Sequence, residues 1–247
     1  MCVYFISLIL WLAPATLQGE KLDPVVSQLI GAVAEVREIN ERIELISAGL
    51  LGRPYLTHPL VGSPETTERL VTRVDGFDCV TFVETVLALA YADSPADFTR
   101  QLVSIRYRDG HIDWTTRLHY ATEWSAYNVE RRLLDDLTGG AESRLRQHNL
   151  HQVRGLDPRP ATYHYYPKRT YPTIAPTLMS GDIIFFVSGR PGLDTNHLGI
   201  VISRNGQLLL RNASRRQRAV VDEPLDDYVR ANRMAGFIIN RPRSRAR

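Results

Sequence analysis

The chain has 247 residues, of which 44% are hydrophobic, and a formal net charge of +3. This length and hydrophobic content fit one globular domain with a core of its own and exclude an intrinsically disordered chain. The charge is too small to indicate a nucleic-acid-binding protein, and part of the basic excess lies in residues 241–247, which we interpret as a solvated end.

The N-terminus carries a short apolar run. Residues 3–12 are largely apolar and are followed by Ala13-Pro14-Ala15, which is the layout of a secretory signal peptide, although no Lys or Arg precedes Lys21. The run is too short to span a bilayer. We therefore predict that residues 1–19 are a signal peptide and that residues 20–247 form one exported domain, in the periplasm or outside the cell.

Removal of the signal peptide leaves one cysteine, Cys79, because Cys2 is lost with it. The mature chain then has no internal disulfide, and its lone thiol is either buried and inert or exposed and functional. Taken alone, a free cysteine favours the buried interpretation, since it usually behaves as a small hydrophobic residue. The other residues decide between the two.

Helical patterns fill the first part of the chain. Asp23-Pro24 predicts a helix start, with a capping carboxylate before a proline at the first helical position. Apolar residues at helical spacing then predict a long amphipathic helix to about residue 51, with room for one break. Residues 55–74 are predicted to be a surface loop, and residues 142–176 receive no assigned structure. Three more helices are predicted over residues 79–92, 95–106 and 117–134.

Strands dominate the last part of the chain. Asn205-Gly206 is a dipeptide favoured in tight hairpins, and residues 225–233 are predicted to be a small helix. Helices followed by antiparallel strands indicate an α+β fold, with N-terminal helices packed on a C-terminal antiparallel sheet. Four short β-rich runs separated by turn residues predict the strands: residues 182–187, 198–202, 207–211 and 236–239.

The position of Cys79 favours a nucleophile. It lies where the turn Asp75-Gly76-Phe77-Asp78 gives way to a helix, so its sulfur would feel the positive end of the helix dipole. Free backbone N–H groups at a helix start are also suited to an oxyanion. The neighbouring Asp78 disfavours a thiolate, so we expect its carboxylate to cap the helix or to hold a cationic part of the substrate.

A histidine base and a polar partner follow later in the chain. Of seven histidines, His197 is placed best, because it begins a predicted strand directly after a turn. Asn212 ends the next strand, across the predicted hairpin, and in an antiparallel pair it would lie near His197 and orient the second ring nitrogen. Cys, His and Asn in this order form a cysteine-hydrolase constellation.

The motifs around these residues resemble a known family. Gly52-Arg53-Pro54-Tyr55, Gly76-Phe77-Asp78-Cys79, Asn196-His197-Leu198-Gly199-Ile200 and Leu210-Arg211-Asn212-Ala213-Ser214 together resemble the NlpC/P60 cysteine peptidases. Residues 77–84, with Arg117-Leu118-His119-Tyr120 and Gly192-Leu193-Asp194, are more similar to the divergent DUF1460 branch, which is described as amidase-like. The resemblance covers roughly residues 45–241.

This resemblance implies a papain-like α+β fold and an enzyme that cuts amide bonds in the peptides of bacterial peptidoglycan, typically next to γ-D-glutamyl. It implies no metal or cofactor, with Cys79 as nucleophile, His197 as general base and Asn212 as the orienting residue. Tyr55 and Asp78 match positions that line the substrate groove.

The chain also departs from the family pattern. The family commonly has Ser-Gly after the Asp-Cys pair, where this chain has Val80-Thr81, and its third catalytic residue is commonly His, where this chain has Asn212. Two further candidates for the substrate groove are His119 and Tyr120, although aromatic residues at helical spacing, Trp124 among them, more often belong to a core.

Several functions stay open at this point. The bond that is cut is either between D-Glu and the diamino acid or between muramic acid and L-Ala. A thiol acyltransferase and a catalytically inactive, secreted cell-wall binding module are the alternatives. A zinc site at Cys79 and His197 is disfavoured, because no close ligand pair occurs. We expect a monomer with peptidoglycan or muropeptide as substrate, no nucleic-acid partner and no stable membrane insertion after signal cleavage.

Overall fold

The computed structural model describes residues 23–244. The predicted signal peptide, residues 1–19, lies outside the described residues. No helix within residues 23–244 is long and apolar enough to cross a membrane.

Within this part of the chain most helices precede most strands, which confirms the predicted α+β arrangement. The helices are α1 (Pro24–Ala32), α2 (Ile39–Ala48), α3 (Cys79–Tyr91), α4 (Pro95–Arg106), α5 (Ala121–Glu130), α6 (Tyr171–Ile174) and α7 (Leu225–Ala231). The strands are β1 (Val61–Ser63), β2 (Thr66–Arg69), β3 (Leu134–Asp136), β4 (Arg144–Leu150), β5 (Arg159–Pro167), β6 (Ile183–Val187), β7 (Thr195–Arg204), β8 (Gln207–Ser214), β9 (Ala219–Pro224) and β10 (Gly236–Pro242).

The long N-terminal helix predicted from the sequence is broken once, between α1 and α2. Asp23 caps α1 as predicted, because its side chain accepts a hydrogen bond from the N–H of Val25 at 2.9 Å. The break is held by Arg42 of α2, whose guanidinium donates to the backbone carbonyls of Val33 and Val36. These carbonyls lie at and beyond the end of α1, where helical partners are lacking. Arg42 also donates to carbonyls at the C-terminal end of α3 and so joins three helices.

The helix α3 is the centre of the helical layer. Every residue from 81 to 91 is buried, and the helix packs against α1, α2 and α4 as well as against β7 and β8. Its buried Glu84 pairs with Arg106 of α4, with Oε2 and Nε 2.7 Å apart. The first residue, Cys79, is only partly buried. The central helix therefore starts at an accessible edge of the core.

The predicted surface loop over residues 55–74 is wrong in part, because it contains the antiparallel hairpin β1–β2. Glu68 of β2 faces inward and is 7% exposed. Its Oε1 accepts hydrogen bonds from the Tyr107 hydroxyl at 2.7 Å and from Arg117 Nη1 at 2.9 Å. Polar contacts thus hold this hairpin, and such contacts leave no alternating apolar pattern in the sequence.

The helix predicted over residues 117–134 is too long, since only α5 is helical. Before α5, the N–H of Leu118 donates to the carbonyl of Arg106, which is a contact between separate segments. After α5, Arg132 has a φ of 59°. A left-handed residue cannot continue a right-handed helix, and the chain enters β3 two residues later.

The main sheet is antiparallel, with the order β4-β5-β10-β6-β7-β8-β9, and β3 pairs with β10. The four predicted strands are β6, β7, β8 and β10, whereas β3, β4, β5 and β9 were not predicted. Asn205 and Gly206 have φ values of 50° and 76° and form the predicted tight turn, in which Arg204 pairs with Gln207.

Apolar residues cover both faces of this sheet. One cluster joins the helical layer to the sheet and contains Phe185 and Leu198. A second cluster lies on the opposite face and contains Phe186, Val201 and, from α7, Leu225. Side chains alternate between the faces of a strand, so β6 is buried at all five positions and has a continuous apolar sequence.

Candidate active site

The start of α3 is fixed by a reciprocal cap beneath Cys79. Asp78 Oδ1 accepts from the N–H of Thr81 at 2.8 Å, and the N–H of Asp78 donates to Thr81 Oγ1 at 3.0 Å. This is a capping box, with Thr81 in the place usually taken by Glu or Gln. Asp78 therefore has the predicted capping role, and Thr81 takes part in it.

The surroundings of Cys79 favour the protonated thiol. Burial and, after it, the charge of Asp78 raise the pKa of the thiol to about 12. The backbone N–H groups of Leu198, Cys79 and Val80 act in the opposite direction, because they donate toward the sulfur. The position at a helix start is thus insufficient to give a thiolate, and the sulfur needs a base.

His197 and Asn212 lie together on β7 and β8. His197 Nε2 and Asn212 Oδ1 are 2.9 Å apart, as predicted from the hairpin. The pair lies beside the start of α3, because the N–H of Leu198, the residue after His197, points at the Cys79 sulfur. Burial lowers the pKa of His197, although Asn212, Glu223 and Asp78 partly offset it, so the imidazole is neutral near neutral pH. A neutral imidazole can accept a proton.

Gly199 makes the contact between His197 and Asn212 possible. A Cβ atom at this position would lie 3.0 Å from the Cβ of Asn212 and 2.9 Å from the carbonyl oxygen of Arg211. These distances are too short for an added Cβ unless β8 shifts, so the site favours glycine at this position. Gly199, which belongs to the motif around His197, therefore has a steric role in the site.

Tyr55, which was predicted to line the substrate groove, lies close to the nucleophile. Its backbone forms a parallel bridge with Phe77, two residues before Cys79. Burial raises the pKa of the Tyr55 phenol, the charges of Cys79 and Asp78 raise it further, and Arg215 lowers it. The phenol thus shares the electrostatic environment of both residues.

His119 and Tyr120 are held by the protein framework. The ring of His119 packs on Trp114 with centroids 4.2 Å apart, and burial lowers its pKa to about 4. Tyr120 is 2% exposed, and its hydroxyl accepts from the N–H groups of Gln152 and Val153. Their role in substrate binding stays a prediction, and for Tyr120 the present contacts are those of a loop anchor.

Three residues around His197 were not predicted. The Phe186 and Tyr228 rings stack near the imidazole, with centroids 6.3 and 5.8 Å away. Glu223 of β9 accepts a hydrogen bond from Asn212. Together with His197 they line an open cleft of about 660 Å³. No motif marks these residues, and only the contacts across the folded sheet reveal them.

No group of three or more His, Cys, Asp or Glu side chains that could hold a metal ion occurs among residues 23–244.

The chain is similar to known proteins over most of its length. A family model described as AmiA-like: N-acetylmuramoyl-L-alanine amidase-like matches residues 45–237. No curated protein matches the chain.

Several solved structures are similar to it. A DUF1460-family protein from Legionella pneumophila has a TM-score of 0.78 at 24% identity, over 89% of this chain and 93% of the other. At this identity, the similarity shows a shared fold alone. An N-acetylmuramoyl-L-alanine amidase from Bacteroides uniformis has a TM-score of 0.74 at 29% identity, over 83% and 99% of the two chains. A protein from Bacteroides fragilis whose name proposes a xylanase has a TM-score of 0.71 at 31% identity, over 79% and 98%.

Proposed function

The chain belongs to the AmiA-like family, the N-acetylmuramoyl-L-alanine amidase-like proteins, and on that basis we propose that it is a peptidoglycan hydrolase with Cys79 as its nucleophile. The observation that carries this proposal is the pair of His197 and Asn212, 2.9 Å apart, beside a thiol at the start of the central helix. Nucleophile, base and orienting group are the three parts that amide hydrolysis by a cysteine enzyme needs.

The proposed reaction begins with a proton transfer. Neutral His197 removes the proton from the Cys79 thiol while the sulfur attacks the carbonyl carbon of the amide. Backbone N–H groups at the start of α3 are suited to receive the negative charge that develops on the carbonyl oxygen. The imidazolium then gives its proton to the leaving amine, the C–N bond breaks, and an acyl group remains on Cys79 as a thioester.

A water molecule completes the cycle. His197 takes a proton from the water as its oxygen attacks the thioester, and the carboxylic acid product leaves. The sulfur recovers its proton from the imidazolium, which restores the thiol and the neutral base. Asn212 keeps the imidazole oriented in both half-reactions.

We propose the bond between muramic acid and L-Ala as the one that is cut. The names of the family and of the Bacteroides uniformis relative support this choice. The bond between D-Glu and the diamino acid is the alternative. The order Cys, His, Asn also supports a place in the papain-like NlpC/P60 superfamily, which we include in the proposal.

A glycosidase is a less suitable function for this site. Most glycosidases place two carboxyl groups on either side of the scissile bond. Near Cys79, Asp78 is engaged as a helix cap, and Glu223 is bonded to Asn212 and Arg216. These two carboxylates are thus engaged in holding the helix start and Asn212, and we favour amide hydrolysis.

The test is a digest of muropeptides with the mature chain and with Cys79→Ala, followed by mass spectrometry. We expect the wild type to separate the sugar from a peptide that begins with L-Ala, and the variant to be inactive while it keeps its circular dichroism spectrum. Turnover by Cys79→Ala would exclude this nucleophile.

Cleavage after D-Glu would identify the endopeptidase, and transfer of the acyl group to an added amine would identify an acyltransferase. A wild type that binds muropeptides without turnover would be a binding module.

A further inference from the structure

Glu223 of β9 lies behind the His197–Asn212 pair. Its Oε1 is 3.2 Å from Asn212 Nδ2, and both residues are buried, with exposures of 7% and 0%. The same amide nitrogen also donates to the backbone carbonyl of Leu210 at 3.3 Å. Both partners of Nδ2 are therefore oxygen atoms that only accept.

These contacts decide which way the Asn212 amide faces. A carboxylate and a carbonyl require the NH₂ end of the amide, so the Oδ1 end is left for His197. Oδ1 is an acceptor as well, and it therefore requires that His197 Nε2 carry the proton at their distance of 2.9 Å. The proton is then excluded from Nδ1, whose lone pair can act as the base. A reversed amide would set Oδ1 against the carboxylate of Glu223, which is repulsive.

Glu223 is held in its charged form. Burial alone would raise its pKa, but hydrogen bonds from Asn212, Arg216 and Gln217 hold the pKa below the usual range. Arg216 Nη2 lies 2.6 Å from Oε2. The fixed negative charge of Glu223 raises the pKa of His197, whereas burial lowers it. The same charge stabilises the imidazolium that forms during the proposed reaction.

Other charged groups also surround His197, so the effect of Glu223 must be separated from theirs. Glu223 is distinguished from them by its hydrogen bond to Asn212. The titratable and charged groups that face the imidazole or its cleft are Asp78 and Cys79 at the start of α3, Arg215 and Arg216 in the β8–β9 turn, Asp222 and Glu223 on β9, Asp227 and Tyr228 on α7, and Arg233 after α7.

We infer that Glu223 is a positioning residue of the active site, which fixes the amide of Asn212 and, through it, the tautomer of His197. The kinetic part of this inference rests on the proposed function. The tautomer is a property of the protein itself and can be measured without turnover.

The experiment compares Glu223→Ala and Glu223→Gln with Asp227→Asn as a matched control. Asp227 lines the same cleft and loses the same charge, but its side chain is 68% exposed and pairs with Arg230. The measurements are kcat, KM and the pH profile on muropeptide, together with the ¹⁵N NMR signals of the His197 ring.

We expect Glu223→Ala to lower kcat about tenfold or more with a smaller change in KM, as removal of a supporting hydrogen bond commonly does. Its ring signals should show protonation at Nδ1 as well as at Nε2. Glu223→Gln keeps an acceptor, so it should recover part of kcat while the imidazole titrates at lower pH. Asp227→Asn should leave the tautomer of His197 unchanged and should move the His197 titration less than Glu223→Gln does.

Two results would overturn the inference. One is a Glu223→Ala variant with wild-type kcat and an unchanged tautomer, and the other is an Asp227→Asn variant that moves the His197 titration as far as Glu223→Gln does. If Glu223→Ala fails to fold, the titration of the nearly isosteric Glu223→Gln decides. If the wild type cleaves no muropeptide, the proposed function fails, whereas the NMR measurement still tests the role of Glu223.

Discussion

The reactivity of Cys79 depends on a neighbour. With a pKa raised to about 12 by burial and by Asp78, the thiol keeps its proton near neutral pH in spite of three N–H groups directed at the sulfur. His197, whose pKa is lowered by burial, is neutral under the same conditions. In the proposed reaction, the thiol therefore gives its proton to His197 while the sulfur attacks the amide. The reaction needs the neutral form of His197.

The pH dependence of turnover follows from this assignment. His197 accepts a proton only above its own pKa, which lies below the ordinary value of 6.5. We expect kcat/KM on muropeptide to rise with pH below 6.5 and to be level from there to weakly alkaline pH, because the thiol titrates far above that range. A pH–rate profile of the wild type measures this. A rise centred above pH 6.5 would contradict a neutral imidazole as the base.

The residues of the proposed site differ in how much of their role the sequence reveals. Cys79 follows a turn and begins a helix, which a local pattern predicts. His197 and Asn212 flank an Asn-Gly hairpin, so a local pattern also brings these two residues together. Glu223 lies on a strand whose sequence, Ala219–Pro224, contains two acidic residues and a proline and does not alternate. Its contact with Asn212 exists only after β8 and β9 pair, and no local pattern predicts it.

Among the elements, the hairpin β7–β8 has a steric requirement that bears on the proposed site. The two strands approach closely enough at Gly199 that a methyl group would meet the backbone of β8 and the side chain of Asn212. The predicted turn sets the register, and the glycine lets His197 reach its partner diagonally across the strands. Both features are needed for one hydrogen bond.

We therefore expect Gly199→Ala to disrupt the active site. The added Cβ would displace Asn212, and loss of the oriented imidazole should lower kcat/KM about tenfold or more. Gly189→Ala is the matched control, because a Cβ there has nothing within 4 Å. Kinetics on muropeptide with both variants, together with their melting temperatures, make the comparison. Equal activity of the two variants would refute the steric role.

Elements with an apolar face were predicted well, and elements held by polar contacts were not. α3, α4 and β6 bury apolar side chains, and each matches its predicted range closely. In the hairpin β4–β5, the strand β4 has mostly polar side chains and an exposed Leu145, at 57%, so β4 shows no alternating apolar pattern. The strand β5 does alternate, with Ala161, Tyr163 and Tyr165 on its more buried face, and this signal was missed. The break at Arg42 depends on contacts with another helix, which a helical pattern alone does not contain.

At the scale of the whole molecule, the site lies where two layers meet. Cys79 belongs to the helical layer, whereas His197 and Asn212 belong to the sheet. The α+β class could be predicted from the order of patterns, but the packing of α3 on β7 and β8 is a property of the assembled core.

The proposed export of the protein can be tested on the full chain. If residues 1–19 are a signal peptide, a full-length chain made in a bacterial host should appear outside the cytoplasm, with a mass that lacks this segment. A chain that begins at residue 20 should stay inside the cell and keep its fold, because the described core begins at residue 23. Mass spectrometry of the fractions decides. An uncleaved chain confined to the cytoplasm would contradict the proposal.

The division of the proposed site between the helical layer and the sheet also determines when the chain could carry out the proposed reaction. A ribosome completes α3, with its thiol, long before it reaches β7 and β8, and a nascent chain of that length contains neither the base nor its partner. In such an intermediate the Cys79 thiol keeps its proton, because His197, the proposed base, has not yet been synthesised. A chain divided in this way between early and late segments would gain the proposed activity only when the sheet closes on the helices.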